Sequence, residues 1–150
     1  MKTIITTTSD KNRIGLYSLL LFTLLLTACT KSEYKIIVPN GYIGKVCLIK
    51  SNVTSNILTL DSNGIGYINE KTFNKLRYAP SVNDASGKDL LPNCVGYSPS
   101  VFWGIGNSES STSKLKINYL SFEIVPDSLI GKKQYYSTDL FKVADTLKIK

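Results

Sequence analysis

The chain carries three thiols, Cys29, Cys47 and Cys94, and no histidine. A catalytic thiol or hydroxyl needs a neighbouring base or cation to activate it. Without histidine there is no Ser-His-Asp or Cys-His arrangement, no HExxH zinc site and no imidazole general base. Neither a metal nor a cofactor is expected. Carboxylate chemistry is what is left, with Asp61, Glu70, Asp84, Asp89, Glu123, Asp127, Asp139 and Asp145 as the candidate acids. Two carboxyls held about 5–10 Å apart across a cleft would suit a hydrolase that works without histidine. Most of the eight fall in turn-like stretches and no spacing pairs any two, so no catalytic residue is assigned and a non-enzyme is expected. Ser110-Ser111-Thr112-Ser113 concentrates hydroxyls with no base beside it and reads as a solvated loop. Asp61-Ser62-Asn63-Gly64 fails as a calcium loop, because Ile65 stands where an EF-hand needs an oxygen ligand and Thr72 where it needs Glu. Gly64-Ile65-Gly66 and Gly104-Ile105-Gly106 do not complete GxGxxG, the phosphate-cradling pattern.

Cys29 differs from the other two cysteines in what precedes it. Residues 1–15 carry Lys2, Lys11 and Arg13 against Asp10, and Leu16 to Leu26 is almost wholly apolar. That core is about a dozen residues long, whereas a spanning helix needs roughly 20. It fits the apolar centre of a secretory signal. Leu26-Thr27-Ala28-Cys29 then resembles the lipobox of bacterial lipoproteins. The resemblance implies thioether attachment of diacylglycerol to Cys29, palmitate-type acylation, and cleavage just before it by signal peptidase II. Residues 1–28 would then be a removed signal-peptide helix, 29–33 a short tether and 34–150 the working domain. Membrane lipid, through Cys29, is the one partner this implies directly. Each buried CH₂ contributes about 0.8 kcal/mol, so several chains hold where one holds only marginally. Thr30-Lys31-Ser32-Glu33 spans at most about 14 Å when extended, which keeps the domain close to the headgroups. Thr30 rather than Asp follows the cysteine. By analogy with lipoprotein sorting this points to the outer membrane of the cell envelope, with the face left open.

Beyond residue 28 there are fifteen basic and ten acidic residues, a net charge of +5, and Arg77 is the only arginine. The lysines are dispersed, as on a solvated surface; attraction to anionic headgroups is the sharper reading. With no arginine cluster and no nucleic-acid motif, nucleic acid is not an expected partner. If Cys29 carries lipid, Cys47 and Cys94 are left as an even pair in an oxidising compartment, which fits a structural disulfide. The alternative is two packed free thiols.

These residues need a scaffold, and the hydropathy pattern is one of short strands between turn residues. Tyr34 to Val38 is closed by Pro39-Asn40-Gly41. Tyr42 to Lys50 has apolar residues on both parities, which predicts a strand covered on both faces. Ile57 to Leu60 and Ile65 to Ile68 flank Asp61-Ser62-Asn63-Gly64, a hairpin signal. Glu70 to Phe73 suits one helical turn, and Asn74 to Tyr78 another short strand. Ser81 to Asp89 and Asn107 to Ser113 read as exposed loops. Val95 to Ile105 is apolar and interrupted by glycines and Pro99. Lys114 to Val125 alternates with a switch of inside parity, which predicts a bulge or bend. Val143 to Ile149 gives a final strand. Seven to eight short strands predict an all-β fold, a single small β-sandwich, with a small barrel as the alternative.

Val38 to Val46, Asn63 to Tyr67 and Phe102-Trp103-Gly104 together resemble a group of small bacterial lipoproteins of unknown function with a prealbumin-like (transthyretin-like) domain. That resemblance implies a two-sheet sandwich, prealbumin-like or immunoglobulin-like, and carries no catalytic residue. Tyr97, Phe102, Trp103, Tyr119, Tyr135 and Tyr136 make the C-terminal half aromatic-rich. Core packing accounts for most of them. Trp103 with Tyr135 and Tyr136 is the candidate exposed binding surface, suited to a protein, peptide or glycan ligand. The expected function is a lipid-anchored binding or interaction module of the envelope. The alternatives are the carboxylate hydrolase and an inhibitor or accessory subunit of an envelope complex.

Overall fold

The computed structural model describes residues 34–111 and 114–149. Leu26, Thr27, Ala28 and Cys29 lie outside them. The strands are β1 (Lys35–Val38), β2 (Gly44–Ser51), β3 (Ile65–Asn69), β4 (Ser81–Asp84), β5 (Cys94–Val95), β6 (Gly104–Glu109) and β7 (Lys116–Ile124), with short helices α1 (Glu70–Lys75) and α2 (Leu140–Val143). The fold is all-β, as the alternation predicts. Among the described residues no helix is long and apolar enough to cross a membrane.

β1 and β4 form a small parallel sheet, with Lys35 opposite Ser81 and Val38 opposite Asp84. The larger sheet has the order β3-β2-β7, and β5 and β6 share the far edge of β7. β3 runs parallel to β2, and the remaining pairs are antiparallel. The segment 57–60 stitches the two sheets together. Ile37 N donates to Leu58 O, Leu60 N donates to Ile37 O, and Ile57 and Tyr67 exchange hydrogen bonds. Among the described residues no pairing closes the ends, so the sandwich reading holds and the barrel alternative does not.

The larger sheet is buried on both faces, which is why β2 shows apolar residues on both parities. Its inner face, with Val46, Leu48, Leu120 and Phe122, packs on Ile36, Val38 and Val82 of the small sheet. Its outer face, with Cys47, Ile49, Ile65 and Ile117, is covered by Leu140, Val143 and Ile149 of the C-terminal segment. Each fully buried aliphatic side chain contributes about 1.5–3 kcal/mol.

Several expectations are corrected. Residues 81–84 form β4 rather than a loop, because Val82 inserts into the core while Ser81 stays outside. Asn74 and Lys75 end α1 instead of starting a strand; Asn69 caps that helix by accepting from Thr72 N. Asn107 to Glu109 continue β6 along β7. Residues 143–149 are not a strand: Val143 ends α2 and Thr146–Lys148 form a helical turn, both in the segment laid over the outer face. β7 has no bulge, since its register with β2 and with β6 is unbroken. Its apparent switch arises because Ile117 meets the C-terminal layer, whereas Leu120, Phe122 and Ile124 meet the small sheet. Of the 57–68 hairpin the turn survives. Asp61 Oδ1 accepts from Asn63 N and Ile65 N, each at 2.9 Å. Gly64 has φ +74 and lies so close to the Tyr42 hydroxyl that a Cβ would collide with it.

Candidate functional site

On the outer face, β6 contributes almost no bulk. Gly104 and Gly106 stand opposite Ser121 and Tyr119 of β7. A Cβ on Gly106 would collide with the Tyr119 ring, whose hydroxyl end occupies the space the glycine leaves open. From β2, Lys45 extends over the same ring, its Nζ 5.0 Å from the centroid. An ammonium over a tyrosine face gains about 0.5–1 kcal/mol where exposed, and its charge stays available to a ligand.

Opposite Lys45, β7 presents Glu123, which is buried. Burying a carboxyl is costly unless its oxygens are hydrogen-bonded. Here Oε2 accepts from Gln134 N at 2.7 Å and Oε1 from Tyr136 N at 3.1 Å. The residue between those two amides, Tyr135, has φ +58. A bulky residue in the left-handed region costs on the order of 1–3 kcal/mol and persists only where its surroundings impose it. Glu123 supplies that constraint, and the Tyr135 ring is left 80% exposed.

Lys133 completes the wall. Its Nζ donates to Tyr97 O at 3.1 Å and lies 4.8 Å from the Tyr97 ring centroid and 5.7 Å from that of Tyr135. The result is a cleft of about 280 Å³ with a two-glycine floor, tyrosine walls and Lys45 and Lys133 as its cations. Among the described residues neither lysine forms an ion pair; those present are Lys50–Glu70 and Lys148–Asp145. The volume sits just below the usual range of small-molecule sites, roughly 300–1,000 Å³, enough for one ring-sized group.

Of the predicted surface, Tyr135 and Tyr136 line this cleft but Trp103 does not. Trp103 is 4% exposed, packs edge-on against Phe102 and Phe122, and donates from Nε1 to Tyr78 O at 2.9 Å. A large ring with one polar atom is buried once that atom finds a partner, and the backbone provides it. Lys45, Tyr97, Tyr119, Glu123 and Lys133 replace it. Tyr97 and Tyr119 were visible as aromatics. Nothing local marks the lysines, which resemble the other dispersed lysines until the fold gathers them.

The disulfide is also corrected: Cys47 and Cys94 are free. They lie on β2 and β5, on opposite edges of β7 and opposite Ser121 and Ile124 respectively, so at least two strand spacings, roughly 9–10 Å, separate them. Bridged Cα atoms sit within about 7 Å. They also face different layers, Cys47 the outer and Cys94 the inner. Burial pushes the Cys47 thiol up to about 11, against the pull of Lys45. Burial, helped by Asp89, pushes Cys94 up to about 12.

The eight acids are each engaged locally. Asp61, Asp84, Asp89, Asp139 and Asp145 accept turn or cap amides. Asp127 accepts from Asn93, Glu70 pairs with Lys50, and Glu123 holds residues 134–136. The Ser86 hydroxyl, followed by local backbone amides, holds the Asp84 carboxyl below the usual range.

No protein-family model and no curated protein matches the chain. A solved structure similar to it is that of a candidate lipoprotein from Bacillus anthracis, with 10% identity, a TM-score of 0.41, and coverage of 75% of this chain and 89% of that one. A likeness of that size passes no ligand, partner or activity to this chain.

Proposed function

We propose that the chain is a lipid-anchored cell-envelope protein whose domain binds, rather than transforms, a ring-bearing anionic ligand in the tyrosine–lysine cleft. One observation carries the binding reading. A buried Glu123 is used to hold Tyr135 in a strained backbone conformation with its ring at the rim of the cleft. Packing gains little from a ring whose one described contact is the Lys133 ammonium, so the cost of burying Glu123 and straining Tyr135 is accounted for by a ligand that the ring contacts. Lys45 and Lys133 supply the charge preference, and the small volume limits the ligand to one ring at a time. Non-catalysis is supported by the acids, each of which holds local structure. The anchor is supported by Leu26-Thr27-Ala28-Cys29, and Thr30 favours outer-membrane sorting.

Two experiments test the parts separately. Cys29→Ala should abolish palmitate labelling and leave an uncut precursor; labelling that persists would refute the anchor. Glucuronate and glucose, titrated against the protein and followed by amide NMR, should shift residues 104–106 and 133–136 with the acid only. Lys45→Ala with Lys133→Ala should remove that response. Equal shifts from the two sugars, or none from glucuronate, would refute the anionic-ligand reading.

A further inference from the structure

We infer that a second surface, beside the cleft and at the end where the tether enters the domain, lies against anionic lipid headgroups. This inference rests on the acyl anchor at Cys29 proposed above. Chain connectivity places the surface. Tyr34, the first described residue, accepts through its carbonyl from Ser81 N at 3.0 Å, and Tyr78 precedes Ser81 by three residues. Arg77 and Tyr78 line one side of an open depression of about 710 Å³, and Tyr97 and Lys133 also line it. Among the described residues no carboxylate lines it. The patch continues through Lys133 to Tyr135. Tyr78 is 80% exposed and Tyr97 63%, and Val101, which exchanges backbone hydrogen bonds with Ser98 of the lining, is also exposed.

Three exposed tyrosines, each an apolar ring with a polar tip, together with two cations and a valine, make the composition that the membrane–water interface favours. The tether decides between a membrane and a soluble partner. From Cys29 to Tyr34 the chain spans five residues, at most about 18 Å. An acyl group on Cys29 therefore keeps the Tyr34 end of the domain at the headgroup layer, and that is the end carrying this patch. Opposite charge then adds to proximity: each basic residue near an anionic surface raises partitioning about fivefold.

The test uses the full processed protein reconstituted in vesicles of phosphatidylcholine, with or without phosphatidylglycerol. Hydrogen exchange is read by mass spectrometry, and the Cys29 peptide is weighed in the same digest. Amides of residues 77–79, 97–101 and 133–136 should exchange more slowly, on the order of tenfold, in the anionic vesicles only. Arg77→Ala with Tyr78→Ser alters no residue lining the ligand cleft and should remove most of that difference. Unchanged exchange in β7 would show that this variant remains folded. Acylated Cys29 with protection that is absent, or equal in both vesicle types, overturns the membrane surface and leaves the anchor standing. Unmodified Cys29 overturns the anchor and the surface with it.

Discussion

At the scale of single residues, environment decides chemistry more than residue type does. Cys47 and Cys94 have thiols pushed from 9.0 up to about 11 and about 12, chiefly by burial. At pH 8 their thiolate fractions are thus lower by about 100-fold and about 1,000-fold than at an ordinary site. Iodoacetamide at that pH should leave both unmodified in the folded protein and label both after denaturation, as counted by intact mass. Rapid labelling of either, or a bridged pair in protein isolated from the envelope, would contradict the packing described. The same groups give the alkaline behaviour a sign. Their folded pKa values lie above the unfolded ones, so the stability they contribute is present below about pH 9 and is lost as pH rises through about 11 and 12. Tyr42, pushed from 10.0 to about 12 chiefly by burial, acts in the same direction. Melting temperature should therefore fall steadily above about pH 9; a flat profile to pH 11 would count against this burial. Trp103 teaches the same lesson from the opposite side. Its type suits a binding surface, yet a carbonyl 25 residues away, at Tyr78, accepts its only polar atom and lets it enter the core.

At the scale of elements, alternation identified the strands whose two faces differ, and missed those whose burial depends on a distant partner. Ser81–Asp84 looked like a loop because its composition is polar; one inward residue, Val82, and pairing with β1 make it a strand. The cleft is an assembly of element ends: glycines from β6, a ring and a carboxyl from β7, a lysine from β2, and residues 133–136 laid across them. Glu123 is the joint. Glu123→Ala should lower stability by about 1.5–3 kcal/mol, the range for hydrogen bonds to charged groups. It should also speed exchange of the Gln134 and Tyr136 amides. Exchange that stays slow in this variant would mean that packing, not the carboxyl, holds Tyr135 in place.

At the scale of the whole molecule, one sheet serves two cores. The small sheet covers its inner face, and the C-terminal segment covers its outer face. Both layers press on the same strands, β2 and β7, so they should melt together. Leu140, 3% exposed, anchors the outer layer. Leu140→Ala should cost about 2–5 kcal/mol while leaving a single unfolding transition. A first transition that releases only residues 137–149 would show the outer layer to be separable.

The amino-acid sequence by itself determined the properties that depend on composition and near neighbours. These are the missing histidine and the chemistry it removes, the anchor-like Leu26-Thr27-Ala28-Cys29, the all-β class, the doubly covered β2 and the turn at Asp61 to Gly64. Side-chain alternation and turn geometry follow from backbone angles a few residues apart, so they can be read along the chain. Only the tertiary structure decided that β3 runs parallel to β2, that β7 separates the two thiols, that Trp103 is core, and that Lys45 and Lys133 share a cleft with Tyr135. Those facts depend on which strands pair and which layer covers each face. Contacts between residues far apart in the chain set both, and no local period records them.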